Sequence, residues 1–470
     1  MRLVSLLFVS GCSLSRLDAG TCADSAQCRD AFGWGWSCGE EGLCEEAVAP
    51  ARCGETWPED LLENPGDYED SIVFGVNYDR SSFGLEVLAA RLAIIQANEQ
   101  GGLEGQDYAL IECSNEPNAS YDSLTQDEAN EEVTRWLADD IGVAGIVGPA
   151  TSGRTEAAYQ VAAPLGTLII SPSATSPALT ELDGLTSTAS DPGLLWRTAP
   201  PDDLQGKVIA EYMTATLNVQ EVAVIHETGP YGEGLADAFV ENFTGTISRR
   251  SFSSNSERDE AIASIGDANE VLFIAAEKAD LIAFFYAASQ ISAFNDKKDP
   301  VGIFLADGAY YIDVFEEVSD VDYLFGQIRG SRPTSIPGVV YDGFSAAYAA
   351  AFGGQDPGEA GYTAYAYDAM WLLLYGSAWS LHQEDGISGI GIGRGLRKIS
   401  SGDPIDIKPS TWITARAQFK AGESVDVTGA SGALDYDLNS GETSAPIEIW
   451  GVEPDGSGGY QFNSEALIDP

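Results

Sequence analysis

From residue 71 onwards, short apolar segments alternate with longer segments in which apolar residues recur at helical spacing. In the segment Phe83–Glu99, for example, Leu88, Leu92 and Ile95 lie on one face, and Gly101 follows as a stop signal. The first series of predicted elements comprises strands at Ile72–Val76, Tyr108–Cys113, Val143–Val147 and Leu168–Ile170, with helices at Phe83–Glu99, Leu124–Asp139 and Arg154–Ala163.

A second series begins after Arg197. It comprises helices at Asp202–Leu217, Tyr231–Phe243 and Ala279–Ile291, with strands at Val222–Ile225, Val271–Ala275 and Gly302–Leu305. Strand–helix alternation of this kind is typical of parallel sheets covered by helices on both faces. Two such series predict an α/β protein with two doubly wound lobes, in which ligands bind beyond the carboxyl ends of the strands.

The C-terminal part departs from this alternation. Two helices are predicted, at Asp342–Phe352 and Thr363–His382, and a glycine-rich loop at Gly389–Gly395 follows them. Beyond Gly402 the pattern indicates strands and turns that end with a strand at Ile447–Val452.

Composition restricts the classes of function. The 470 residues include 24 Lys and Arg against 73 Asp and Glu, a formal charge of −49. This balance argues against nucleic-acid binding and against electrostatic docking on anionic lipid, because both need basic surface. The hydrophobic share of 44% is large enough to build folded cores. No apolar run approaches the roughly 20 residues of a membrane-spanning helix.

The first residues resemble a bacterial lipoprotein signal. Arg2 supplies a positive charge, Leu3–Val9 is a short apolar run, and Cys12 ends a lipobox-like sequence. We therefore expect a signal peptide at residues 1–11 and a lipidated Cys12, which would anchor the protein to the outer face of a bacterial membrane, periplasmic or at the cell surface. The alternative is a chance cysteine after an ordinary secretory signal.

The cysteines after Cys12 are even in number, which suits three disulfides in an oxidising compartment. They are Cys22, Cys28, Cys38, Cys44, Cys53 and Cys113. The spacing of the first four is too long for typical zinc knuckles, so they predict a small module with two disulfides at residues 12–50. Three pairings of these four cysteines are possible. A linker is expected at residues 51–70. Cys53 and Cys113 remain as the third pair.

Candidate chemistry lies where predicted strands end. The loops at residues 147–153 and 171–177 are rich in small and hydroxyl residues, and a hydroxyl beside free N–H groups at a helix start can bind a carboxylate. The alternative is that these residues only cap helices. In the second series Tyr231, Glu277 and Asp307 follow strands. A carboxylate at Asp307 can bind a ligand ammonium, although a turn or cap residue is the plainer interpretation.

Several longer stretches, taken together, resemble one family. They are Gly101–Gly105, Gly145–Pro149, Ile169–Leu179, Trp196–Pro200, Tyr231–Ala236, Gly432–Asp437 and Ile447–Trp450. Through them, residues 71 to about 453 resemble the extracytoplasmic solute-binding proteins of branched-chain amino-acid ABC importers, which have the type I periplasmic binding fold. The resemblance implies two lobes joined by three crossovers. We expect residues 71–197 and 331–402 in lobe 1, and residues 198–330 and 403–470 in lobe 2.

The resemblance also implies a receptor for a ligand α-carboxylate. By motif position the hydroxyls of Ser152 and Thr175 should bind it, helped by the backbone of Ala150 and Ala174.

The other half of the expected site lies mainly in the second lobe. Asp307 stands where the family has an acidic residue for the α-ammonium, while Tyr231 and Phe83 should pack against the body of the ligand. Glu277 stands where an aromatic residue is common in the family. This acid either favours a polar or cationic ligand or simply faces solvent.

The expected function is therefore capture of an amino acid or similar small polar solute for an ABC permease, with no cofactor or metal. The alternative is a lipoprotein that senses a ligand for a signalling partner. An enzyme is poorly supported, because only His226 and His382 are available and no G-x-S-x-G or P-loop motif occurs. The calcium-like spacing at Asp435–Gly441 is interpreted as a turn, since its glycine and distal acid do not fit an EF-hand.

Overall fold

A computed structural model describes residues 20–183, 191–296, 300–334, 337–384, 386–437 and 439–469. The predicted signal peptide and Cys12 lie outside the described residues. Among the described helices, none combines the length and apolar character that crossing a membrane requires.

A small disulfide module comes first. It consists of helix α1 (Ser25–Phe32) and the antiparallel strands β1 (Trp36–Cys38) and β2 (Cys44–Glu46). Two disulfides join Cys22 to Cys38 and Cys28 to Cys44, which confirms the predicted knot and resolves its pairing.

The predicted linker at residues 51–70 instead contributes to the first lobe. Strand β3 (Glu55–Trp57) pairs antiparallel with β5 (Tyr108–Ser114), and the third disulfide, Cys53–Cys113, ties the same two segments together. A three-residue strand directly before Pro58 is too short to show periodicity, which explains why the sequence pattern missed it.

The first lobe is a six-stranded sheet with helices on both faces. In chain order after β3 its elements are β4 (Ile72–Tyr78), α2 (Arg80–Glu99), β5, α3 (Gln126–Arg135), β6 (Gly145–Val147), α4 (Ser152–Ala162), β7 (Leu168–Ser171), α5 (Ala178–Leu182) and β8 (Leu195–Arg197). The strand order is β3-β5-β4-β6-β7-β8, and all pairs except β3–β5 are parallel. Parallel strands place their carboxyl ends, and the loops that follow them, at one edge of the sheet.

The second lobe has a seven-stranded sheet. Its elements up to residue 333 are α6 (Asp202–Ala215), β9 (Glu221–Glu227), α7 (Pro230–Asn242), β10 (Thr246–Phe252), α8 (Asn255–Ala263), β11 (Glu270–Ile274), α9 (Lys278–Ser289), β12 (Gly302–Leu305), α10 (Ile312–Glu317) and β13 (Ile328–Pro333). With the C-terminal strands β16 (Ile447–Pro454) and β17 (Tyr460–Ile468), the strand order is β10-β9-β11-β12-β13-β16-β17. The first five strands are parallel, β16 pairs antiparallel with β13, and β17 pairs antiparallel with β16.

Between β13 and this hairpin the chain returns to the first lobe. The elements there are α11 (Val339–Ala351), α12 (Thr363–Gln383), α13 (Gly389–Leu396), β14 (Asp403–Asp406), α14 (Trp412–Lys420) and β15 (Val425–Thr428). The chain therefore passes between the lobes after Arg197, after Pro333 and again before Ile447, as the resemblance implied.

The prediction of a loop at Gly389–Gly395 is wrong, because these residues form α13. The Ser388 hydroxyl caps this helix by accepting a hydrogen bond from the N–H of Gly391 at 3.1 Å. The glycines allow close packing: a Cβ at Gly389 would lie 2.2 Å from the carbonyl oxygen of Gly166.

The prediction of only strands and turns beyond Gly402 is also wrong, because residues Trp412–Lys420 form helix α14. Trp412 is fully buried, packs against the rings of Trp371 and Tyr375 on α12, and donates from its indole to the carbonyl of Gly102 at 3.0 Å. This segment thus packs on the first lobe, although residues 403–470 were all expected in the second.

Candidate functional site

The loops that follow the parallel strands of the two lobes face each other and enclose a cavity. It is lined by Phe83, Ala150, Thr151, Ser152, Ser173, Tyr231, Ala276, Asp307, Gly308, Tyr311 and Tyr362. Five of the eight residues expected at a ligand site are among them: Phe83, Ala150, Ser152, Tyr231 and Asp307.

One wall of the cavity is built by the loop and first turn of α4. Thr151 precedes the helix and Ser152 begins it, so free N–H groups and hydroxyls lie together at a helix N-terminus. The Ser152 oxygen accepts from the N–H of Ser176 at 3.1 Å, and the Ser173 hydroxyl donates to the carbonyl of Ala150 at 3.0 Å. These bonds fix the orientation of the hydroxyl-rich wall, whose chemistry suits an anion.

Two residues expected on this wall lie behind it. Ala174 is fully buried, and its N–H donates to the Ser171 hydroxyl at 3.1 Å. Thr175 is also fully buried, and its hydroxyl lies beside Asp202, where it lowers the pKa of that carboxyl. Neither residue lines the cavity, so the structure brings Ser152 and Asp307 into one cavity but leaves Thr175 outside it.

The opposite wall centres on Asp307, which follows β12 and is 3% exposed. Its Oδ1 accepts from the Tyr231 hydroxyl at 2.7 Å and from Nε2 of Gln205 at 3.0 Å. Its Oδ2 accepts from the Tyr362 hydroxyl at 2.5 Å. Three donors on one buried carboxylate hold it in a single orientation towards the cavity.

Electrostatics around Asp307 involve a second buried acid. Burial raises the pKa of Asp307, whereas hydrogen bonds from Tyr362, Tyr231 and Gln205 lower it. The pKa of Asp202 is raised well above its ordinary value, first by burial and then by the charge of Asp307. A cation placed in the cavity would favour the charged form of Asp307, while the neighbouring Asp202 favours its neutral form.

Glu277 lies at the outer part of the cleft rather than in the cavity. Its carboxylate forms a 3.0 Å ion pair with the guanidinium of Arg154 on α4. This ion pair links the two lobes across a wider opening of about 650 Å³ that both residues line. Ser176 and Pro230 form a further link, with the serine hydroxyl donating to the proline carbonyl at 2.7 Å. The inner cavity has a volume of about 30 Å³, which is room for one or two water molecules, so a larger ligand would fit only with the lobes further apart than in this arrangement.

Two lining aromatics were not anticipated from the sequence. Tyr311 lies four residues after Asp307 in the same strand-end segment, so its position offered a signal. Tyr362 lies at the start of α12, 55 residues beyond Asp307, and only the return of the chain to the first lobe brings it to the site.

Comparisons with known proteins agree with this architecture. Residues 85–297 match the family described as "Receptor family ligand binding region". The chain is 36% identical over 148 residues to the Leu/Ile/Val-binding protein homolog 1 of Brucella abortus, covering 32% of this chain and 35% of that protein. It thus spans about a third of the length of the curated relatives it matches.

Solved structures match over most of the chain. One is the branched-chain amino acid transporter substrate binding protein LivJ of Streptococcus pneumoniae in complex with isoleucine, with a TM-score of 0.62 and 20% identity over 85% of this chain and 100% of that one. Another is the leucine binding protein LivK of Thermotoga maritima, with a TM-score of 0.64 and 17% identity over 85% and 99%. These likenesses confirm the fold class and the resemblance inferred from the motifs. All of the proteins named here are described as binding proteins, in agreement with the expectation of a binder rather than an enzyme.

Proposed function

We propose, from the premise that the chain has the leucine-binding-protein-like, type I periplasmic binding fold, that it binds an amino acid or similar zwitterion between its lobes without chemical turnover. In this proposal the α-carboxylate lies against Ser152 and the N-terminus of α4. The α-ammonium lies against Asp307, and the rings of Phe83 and Tyr231 contact the rest of the ligand.

The observation that carries the proposal is that Ser152 and Asp307 line one cavity from opposite lobes. Hydroxyls at a helix N-terminus favour an anion, and a buried carboxylate favours a cation. A free amino acid carries both charges on adjacent groups. The relatives named as Leu/Ile/Val-binding and leucine-binding proteins add support from their descriptions.

Binding is coupled to lobe closure in this proposal. Neither lobe alone offers partners for both charges. The ligand therefore has higher affinity for a closed form in which both lobes contact it than for a form with the lobes separated, and it shifts the population towards that closed form. The closed form is the one that presents both lobes together to a partner, which makes closure a signal of occupancy.

We further propose that the partner is an ABC permease and that Cys12 carries a lipid anchor at the outer face of a bacterial membrane. The first part is supported by the description of the pneumococcal structure as a transporter substrate binding protein. That description favours import over the alternative of a sensing lipoprotein. Labelling of cells with a radioactive fatty acid would test the anchor, since wild type should incorporate label and Cys12→Ala should not.

A thermal-shift panel of the 20 amino acids and small amides tests the binding function. A ligand at ~1,000 times its Kd should stabilise the protein by about 4 kcal/mol. Ser152→Ala and Asp307→Asn should each reduce that shift, whereas Glu241→Gln, an exposed carboxyl on α7, should leave it unchanged. Absence of any shift across the panel, or an undiminished shift in both site variants, would contradict the proposal.

A further inference from the structure

A buried carboxyl lies one helical turn beyond Phe83 on α2. Glu86 is 1% exposed, and neither of its carboxylate oxygens has a hydrogen bond to another residue in the described part of the chain. The hydroxyl of Tyr78, fully buried on β4, is likewise without a partner within the described ranges. Burying such groups without partners is costly, so their position calls for a further binding partner.

The charged and titratable groups around Glu86 come from several elements. They are Tyr78 on β4, Lys278 on α9, Tyr311 and Asp313 near the start of α10, and Tyr348 on α11. Lys278 does not neutralise Glu86 directly, because its ammonium binds Asp313 at 2.7 Å and lies 4.4 Å from the centre of the Tyr311 ring. Burial raises the pKa of Glu86 to about 7.

Tyr311 connects this carboxyl to the ligand cavity. It lines the cavity together with Asp307, and it also lines a neighbouring groove of about 460 Å³ together with Glu86. The rings of Phe83 and Tyr311 meet edge to face, with their centres 6.0 Å apart. The two contacting rings therefore form an apolar surface between the ammonium receptor at Asp307 and a second buried carboxyl.

We propose that Glu86, with the Tyr78 hydroxyl, binds the side-chain ammonium of a diamino acid such as lysine or ornithine, whose α-ammonium is held by Asp307. This inference rests on the proposed function of the site. The methylene chain would lie against the rings of Phe83 and Tyr311, which the bound ligand would separate, and the terminal ammonium would supply the donors that Glu86 lacks. An aliphatic ligand would leave the Glu86 carboxyl buried and unpaired, which gives the site selectivity against leucine-like side chains.

Titration calorimetry on the full chain with L-lysine and L-norleucine tests the inference, because these ligands differ chiefly in the terminal ammonium. Wild type should bind lysine at least about 10-fold more tightly than norleucine. Glu86→Gln should weaken lysine binding by about 10- to 100-fold and change norleucine binding by less than about twofold. Glu359→Gln, an exposed carboxyl of the same groove, should leave both affinities unchanged.

The outcomes separate this inference from the proposed function. Equal affinity for the two ligands, or a lysine to norleucine ratio unaffected by Glu86→Gln, overturns the inference. If Asp307→Asn weakens amino-acid binding in that case, the proposed function stands. No binding of any amino acid by wild type overturns both. Far-ultraviolet circular dichroism and unfolding of Glu86→Gln verify that the variant is folded.

Discussion

The Tyr362 hydroxyl donates a 2.5 Å hydrogen bond to Oδ2 of Asp307 and thereby joins helix α12 of the first lobe to a strand end of the second. This bond both orients the carboxylate and connects the lobes. Tyr362→Phe should therefore weaken amino-acid binding by about 5- to 10-fold in titration calorimetry.

Tyr365→Phe is the matched control for Tyr362. Its hydroxyl is buried nearby on the same helix but has no hydrogen-bond partner among the described residues. We expect this variant to bind as wild type does. Equal losses in the two variants would mean that the Asp307 contact has no special role.

The ion pair between Arg154 and Glu277 should favour the closed arrangement of the lobes. The Glu277 side chain is 36% exposed, so the pair is worth only about 0.5–1 kcal/mol. Glu277→Gln should weaken ligand binding by about 2- to 5-fold at low salt, with the difference shrinking at high salt.

Asp237→Asn provides the control for the interlobe ion pair, because Asp237 pairs with Arg249 within one lobe. It should leave ligand affinity unchanged at every salt concentration. A similar loss in Asp237→Asn and Glu277→Gln would remove the argument for a lobe-closing role.

Glu270 on β11 should make stability depend on pH. Burial raises its pKa from 4.5 to about 8, so the folded state binds a proton that the unfolded state releases above pH 4.5. Its unfavourable contribution therefore grows as pH rises from 4.5 to about 8 and is constant above that. Relative to wild type, Glu270→Gln should gain about 4–5 kcal/mol of unfolding free energy at pH 8.5 and little at pH 4.

Urea denaturation at the two pH values measures this difference. Glu221→Gln, an exposed carboxyl at the start of the neighbouring strand β9, should show no comparable pH-dependent gain. A Glu270→Gln stability difference that is the same at both pH values would contradict the assignment.

Much of the site could be predicted because parallel strands end at one edge of a sheet. Ser152, Tyr231 and Asp307 each follow an apolar strand segment, so their chain positions already indicate that edge. Thr175 shares this signal but faces inwards towards Asp202. Periodicity locates a strand end to within a few residues and does not give the direction in which each side chain points.

Other features depend on tertiary contacts that leave no local pattern. Tyr362 reaches the site only through the crossover after Pro333. The glycines of α13 are typical of a loop in sequence, but here the absence of a side chain lets the helix pack closely against the backbone of Gly166. Helix α14 did carry a signal, since Trp412, Ala415 and Phe419 have helical spacing and are buried. That signal was obscured by the β-rich segments on either side.

The most direct test of the central claim combines one change in the ligand with one in the protein. Titration calorimetry would compare the best amino-acid ligand with its analogue lacking the α-amino group, against wild type and Asp307→Asn. If Asp307 binds the α-ammonium, the analogue without that ammonium should bind wild type about 100-fold more weakly than the amino acid does. The same comparison in Asp307→Asn should give a loss of affinity of less than about fivefold. Equal losses in the two proteins would show that Asp307 does not contact the ammonium.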